Sequence, residues 1–157
     1  MDDTTLEAAD APARPAADPA PAGWRLLAFA YDIVPLLALL MIASAVLVAI
    51  NGGNTVERSP WLAALEFAAF WAVCGAYFVA SWGRGGQTLG MRPWQLKLVA
   101  GDGSLPTTRA LWLRFVVASA TPVVGWGWCF VDPQRRALCD LAAGTVFVRL
   151  RSRSDRG

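Results

Sequence analysis

The sequence predicts an all-α membrane protein with two transmembrane helices in a hairpin, a third broken helical segment, and a small β-element. Apolar residues make up 55% of the 157 residues, and the mean hydropathy is +0.40, which is typical of a membrane protein. Two apolar runs are long enough to cross a bilayer. Two short segments with strand-like alternation flank a third, shorter apolar run.

The chain begins with an Ala-, Pro- and Asp-rich segment, residues 1–22. This composition cannot bury enough apolar surface to offset the entropy lost on ordering, so we expect a disordered tail. The segment also lacks the basic start and short apolar core of a secretory signal. We expect a membrane domain over residues 23–150 and a basic tail over residues 151–157.

The first predicted span, Leu26–Ile50, carries Asp32 as its only charged residue. At about 1.5 Å per residue it exceeds the ~30 Å hydrocarbon core of a bilayer. Each of its Leu, Ile, Val and Phe side chains favours membrane insertion by about 0.3–0.6 kcal/mol, and together they outweigh the insertion cost of about 3 kcal/mol for one central Asp. Pro35 follows Asp32 closely, and a kink there would free backbone carbonyls. The sequence therefore predicts a local polar site around Asp32.

The second predicted span, Pro60–Trp82, follows a short polar loop at residues 51–59. Alanine recurs at every fourth position of this span, forming a small-residue stripe: Ala64, Ala68, Ala72 and Ala76. Such a stripe allows close approach of another helix, from the same chain or from a second copy. Glu66 lies almost opposite the stripe. It is either an interfacial acid that reaches toward water or a functional carboxylate.

The third apolar segment, Phe115–Val131, is short for a straight span and contains Pro122 and two glycines. Thr107 or Thr108 can cap the helix that leads into it. Three interpretations remain open for this segment, because it can cross the membrane, enter and return, or lie along the membrane surface.

Two segments predict strands that pair in a small cytoplasmic sheet on the membrane surface. Trp94–Ala100 alternates apolar and polar side chains and is followed by an Asp-Gly turn. Thr145–Leu150 is rich in β-branched and aromatic residues. If these segments pair, they lie on the same side of the membrane.

The distribution of positive charge predicts the orientation. Basic residues before the first span and after the second outnumber the lone Arg58 between the spans; they are Arg25, Arg84, Arg92 and Lys97. Because cytoplasmic loops carry an excess of Lys and Arg, we expect the amino terminus in the cytoplasm. The arginine-rich carboxyl terminus is expected there too, attracted to anionic lipid at about 1 kcal/mol per charge.

The chain lacks the residues that several classes of protein need for their function. The chain has no His, and its three cysteines form no C-x-x-C pair, so we expect no metal site, cofactor or disulfide. No phosphate-binding loop and no pair of nucleophile and base is present, so we expect neither an enzyme nor catalytic residues. We also expect no nucleic-acid partner. The expected partners are the lipid bilayer and either a second copy or another membrane subunit.

The motifs resemble a known family. Trp24-Arg25 opens the first helix, Asp32 lies within it, and further motifs follow: Gln87-Thr88-Leu89-Gly90, Asp132-Pro133-Gln134-Arg135-Arg136, and Cys139-Asp140-Leu141-Ala142-Ala143-Gly144-Thr145-Val146. Together they resemble the RDD family of bacterial membrane proteins, named for an arginine and two aspartates. By position, Arg25, Asp32 and Asp140 match those three letters. The family usually has His where this chain has Cys139, and often a basic residue at Met91. The resemblance implies a multi-pass inner-membrane protein with a role in transport, in some members linked to sodium and protons.

Asp32 has two interpretations of its own. It can form a structural ion pair with Arg114, which enters at a similar depth from the third segment, or with Arg25. Alternatively, it can titrate and bind a proton or a sodium ion, with Glu66 as a second station for the cation. Transport is the first functional hypothesis for the chain. A non-transporting structural or accessory subunit of a membrane assembly is the second.

Overall fold

A computed structural model describes residues 18–52, 60–132 and 136–150. The helices are α1 Ala22–Ile50, α2 Pro60–Gly85, α3 Thr108–Ala120, α4 Pro122–Val131 and α5 Leu138–Ala143. The strands are β1 Asp18–Pro19, β2 Leu96–Ala100 and β3 Thr145–Arg149. The carboxyl-terminal tail, the start of the amino-terminal tail and most of the loop between α1 and α2 lie outside the described residues.

The two long apolar runs form the two longest helices. By length and composition, α1 and α2 can each cross a membrane, and they pack against each other. The helix α1 begins at Ala22, earlier than expected, and continues through Pro35. The helix α2 ends beside Gly86, which has a φ of +72° and would carry a Cβ only 2.6 Å from the Leu98 carbonyl oxygen. Glycine therefore allows the chain to leave α2 and pass close to β2.

The third apolar segment forms two helices, α3 and α4, which meet at Thr121. The hydroxyl of Thr107 caps α3 by accepting the Ala110 N–H at 3.3 Å, as one of the two predicted caps. The break follows from Pro122, which has no N–H to continue the hydrogen bonds of α3. At about 1.5 Å per residue, the 13 residues of α3 cover roughly 20 Å, less than the ~30 Å hydrocarbon core.

The strands form one antiparallel sheet in the order β1-β3-β2. The expected pairing of β2 with β3 is confirmed, with Leu98 opposite Phe147. The sheet also includes β1, which the sequence did not predict. Ala20, directly after β1, is fully buried and its N–H donates to the Phe147 carbonyl at 3.1 Å. The expected disordered tail over residues 1–22 is therefore wrong for residues 18–22, because pairing with β3 orders them.

The core lies where the sheet meets α2 and α3. Its buried side chains include Leu96, Leu98, Leu111, Met91 and Trp82. The predicted alanine stripe of α2 lies elsewhere, because all four of its alanines are exposed. The stripe is therefore not buried against another helix among the described residues. Its use by a second copy or a partner stays a prediction.

The close approach of α2 and α3 depends on Gly75. A Cβ at this position would lie 2.6 Å from Trp112 Cζ3 and 2.8 Å from Phe115 Cε1. These separations are too short for carbon atoms, so the absence of a side chain at Gly75 allows the aromatic rings of α3 to pack against the backbone of α2.

We predict that Gly75→Ala destabilises the protein. Alanine favours a helix over glycine by about 1 kcal/mol, but overpacking costs about 1–3 kcal/mol. Thermal unfolding in mild detergent checks this, with Gly83→Ala as the matched control. A Cβ at Gly83 of the same helix meets its nearest neighbour at 3.7 Å, so this variant should keep or raise the midpoint. Equal effects of the two substitutions would contradict the packing argument.

Candidate functional site

Among the residues that the structure describes, six polar or charged side chains are buried near the junction of the helices and the sheet: Arg25, Asp32, Thr88, Arg114, Asp140 and Thr145. Burial of such groups is costly unless each finds partners. They form two groups. One surrounds Asp140 and contains both arginines, and the other surrounds Asp32.

Asp140 binds two arginines at once. Its Oδ2 accepts from Arg25 Nη1 at 2.8 Å, and its Oδ1 accepts from Arg114 Nη1. The side chains of all three residues are at most 5% exposed. Asp140 Oδ2 also accepts the Ala137 N–H at 2.9 Å, so the carboxylate caps the first turn of α5. One buried carboxylate therefore connects α1, α3 and α5.

Aromatic rings complete this group. The guanidinium carbons of Arg25 and Arg114 lie 4.7 Å and 4.8 Å from the centre of the Phe147 ring. Arg114 also lies 5.2 Å from the Trp82 ring and donates to Thr145 Oγ1 at 2.7 Å. Two guanidinium groups thus face the carboxylate of Asp140, and the negative ring faces attract both of them as well.

Asp32 accepts three hydrogen bonds from other elements. Tyr77 of α2 donates its hydroxyl to Oδ1 at 2.7 Å, and the Gly90 N–H donates to the same oxygen at 2.8 Å. Thr88 donates its hydroxyl to Oδ2 at 2.5 Å. The residue is 2% exposed, so Asp32 faces the interior of the protein. Hydrogen bonds to a charged group are the strong ones, worth about 1.5–3 kcal/mol each.

The turn after α2 delivers two of these donors. Thr88 Oγ1 also accepts the Met91 N–H at 3.3 Å, which holds the turn. A Cβ at Gly90 would lie 2.1 Å from the Ala28 carbonyl oxygen and 2.9 Å from Asp32 Cγ. Only glycine allows the turn to approach α1 this closely. The Gln87-Thr88-Leu89-Gly90 motif therefore supplies the donors for Asp32.

The expected ion pair of Asp32 with Arg114 or Arg25 is wrong, since both arginines bind Asp140. Sequence reasoning could not assign the partners because Arg25 and Asp140 are 115 positions apart. It also missed Tyr77, for which the sequence carries no signal beyond a lone hydroxyl in an apolar helix. Glu66 is half-buried on α2, eleven positions before Tyr77, or about 16 Å along the helix. The structure does not bring Glu66 to this site.

A cavity of about 310 Å³ lies between the helices and touches both groups. Its walls are mostly apolar, with Phe29 of α1, Phe78 of α2 and Phe115 of α3 among them. Four of the buried polar residues line it: Arg25, Asp32, Thr88 and Arg114. Asp32 is thus reachable from the cavity.

The two long apolar helices, with a buried polar site at their junction with a small sheet, indicate a membrane protein. The sequence profile of the RDD family matches residues 19–144, which is most of the chain, and the protein belongs to that family. Arg25, Asp32 and Asp140, the residues that the sequence resemblance assigns to the family's three letters, are all buried in the site. Comparison with curated proteins and with solved structures found no match.

We predict that Asp140→Asn costs about 3–5 kcal/mol of the free energy of unfolding, because two buried arginines lose their counter-charge. Denaturant titration in detergent measures it. Asp102→Asn is the control, since Asp102 is exposed in the turn after β2 and this surface substitution should change the free energy of unfolding by at most about 1 kcal/mol. If Asp140→Asn is as mild as its control, the ion cluster does not stabilise the fold.

Proposed function

We propose that this protein is a multi-pass inner-membrane protein with a transport role linked to protons or sodium ions, in which Asp32 takes the cation. The observation that carries the proposal is the environment of Asp32. It is a buried carboxylate in a helix long enough to span the membrane, bound by two hydroxyls and one N–H, and it lines a cavity. Ionisable residues within membrane spans are costly and are usually functional.

The partners of Asp32 support this role. Among the residues that the structure describes, no Arg or Lys forms a salt bridge with Asp32, because Arg25 and Arg114 both pair with Asp140. A buried carboxylate that accepts hydrogen bonds but has no basic side chain as a partner is stabilised when it binds a cation. A proton would remove its charge. A sodium ion would find oxygen ligands on Asp32, Tyr77 and Thr88, the ligand type that hard cations prefer.

We predict that Asp32→Asn abolishes cation flux. Asn keeps the size of the side chain but removes the charge that attracts the cation, so the rate should fall at least about tenfold, a loss of ~1.4 kcal/mol or more. Flux is measured in proteoliposomes with an imposed proton or sodium gradient. Asp102→Asn is the control, because Asp102 is exposed in the turn after β2 and its variant should keep the rate. A folded Asp32→Asn protein with an unchanged rate excludes Asp32 as the cation site.

A non-transporting accessory subunit is the second candidate. The exposed alanine stripe on α2 supports it, because small residues gain little from contact with lipid but allow close helix packing. The same face would serve a second copy or a partner subunit. Co-purification of a stable partner, in preparations without flux, favours this function over transport.

We further propose that both tails are cytoplasmic and that α3 and α4 enter the membrane and return. The sheet supports this, because β1 precedes α1, β2 follows α2, and β3 follows α5, yet all three pair. Paired strands lie on one side of a membrane. The positive-inside rule supports the cytoplasm as that side.

We predict that a cysteine at Ser152 is not labelled from outside the cell. The native Cys74, Cys129 and Cys139 are first replaced by Ser, and intact spheroplasts are treated with a membrane-impermeant maleimide. Asn54→Cys, in the loop between α1 and α2, is the positive control and should be labelled. Efficient labelling of Ser152→Cys would mean that the third segment crosses.

A further inference from the structure

We propose that the cavity between α1, α2 and α3 binds one anionic phospholipid, whose phosphate oxygens accept hydrogen bonds from Arg114 and Trp82. This binding site goes beyond the cation-linked role of Asp32. Lipid binding depends on the donors of Arg114 and Trp82, whereas cation binding depends on the carboxylate oxygens of Asp32 in the same cavity wall.

Two buried donors in the wall have no partner among the described residues, Arg114 Nε and Trp82 Nε1. Both residues line the cavity, and they are only 4% and 8% exposed. They are also neighbours, because the Arg114 guanidinium carbon lies 5.2 Å from the centre of the Trp82 ring. Leaving a buried donor unsatisfied costs about 1–3 kcal/mol. A group with several acceptor oxygens at this place would satisfy both.

The charge at this end of the cavity favours an anion. The guanidinium groups of Arg25 and Arg114 both lie in the cavity wall at this end, whereas Asp140, which pairs with both, does not line the cavity. Asp32 also lines the cavity, but it lies seven positions from Arg25, about 10 Å along α1. Its oxygens already accept three hydrogen bonds. Arginine is well suited to phosphate, because its planar fork presents several donors at once.

The shape and the apolar lining favour a lipid over a free anion. Arg25 lies in the first turn of α1, near the membrane surface, where lipid head groups lie. The walls beyond it are apolar, and three lining residues are exposed on the outside of the helices: Phe29, Ser119 and Pro122. The cavity thus opens where acyl chains would contact the protein. Its volume of about 310 Å³ is at the lower end of the roughly 300–1,000 Å³ of ligand pockets, enough for part of one chain.

The test is native mass spectrometry of the full chain in detergent, with phosphatidylglycerol and phosphatidylcholine added in equal amounts. We expect phosphatidylglycerol to be retained preferentially, because only its head group is net anionic. Trp82→Phe keeps the ring but removes the N–H, so its dissociation constant for phosphatidylglycerol should rise about tenfold. Trp94→Phe is the matched control, because Trp94 Nε1 is also buried without a partner but Trp94 does not line the cavity. It should bind as the unaltered protein does.

Three results would overturn the proposal. Equal retention of the two lipids by the unaltered protein excludes the anionic preference. Equal affinities of the Trp82→Phe and Trp94→Phe variants exclude the cavity donors. Inorganic phosphate that displaces phosphatidylglycerol at comparable concentration excludes a lipid as the ligand. If Trp82→Phe does not fold, the lipid ratio and the phosphate competition on the unaltered protein still decide the matter.

Discussion

Asp140 lies between Arg25 and Arg114, and the arrangement of the rest of the protein depends on this buried cluster. Each arginine comes from a different helix, α1 or α3, and Asp140 lies in the first turn of α5. The next element, β3, adds Thr145 and Phe147 to the same cluster. A buried charge without its partner costs several kcal/mol. Separation of the helices from the sheet would therefore expose these charges to the membrane or leave them buried without an ion-pair partner.

This cluster also determines the chemistry open to Asp32. Because Asp140 takes both arginines, Asp32 is bound by neutral donors, namely Tyr77, Thr88 and the Gly90 N–H. The fold thus separates an ion cluster from a carboxylate that forms no salt bridge with any Arg or Lys among the described residues. The cavity between the two groups connects them. Its cationic end and its carboxylate end suit different ligands, which is the physical basis of both proposals.

The parts of the fold that follow local rules could be predicted from the sequence. The long apolar runs predict α1 and α2, a cap at Thr107 or Thr108 predicts the start of α3, and alternation predicts β2 and β3. Tertiary partners could not be predicted in this way. The sequence favours Arg114 as the partner of Asp32, because the depth of each residue in the membrane can be predicted from its position in a helix. The contact between Arg25 and Asp140 spans 115 positions and could not be predicted in this way. The six residues of α5 are too few to show helical periodicity.

A double-mutant cycle with Arg25→Met and Arg114→Met tests the shared carboxylate most directly. Removing one arginine leaves Asp140 with the other and relieves their mutual repulsion, so each single variant should lose little stability. Removing both leaves a lone buried carboxylate. The double variant should therefore lose at least about 1 kcal/mol more than the sum of the single losses, within the ~0.5–3 kcal/mol range of residues in one network. Additive losses in the free energy of unfolding would contradict the cluster.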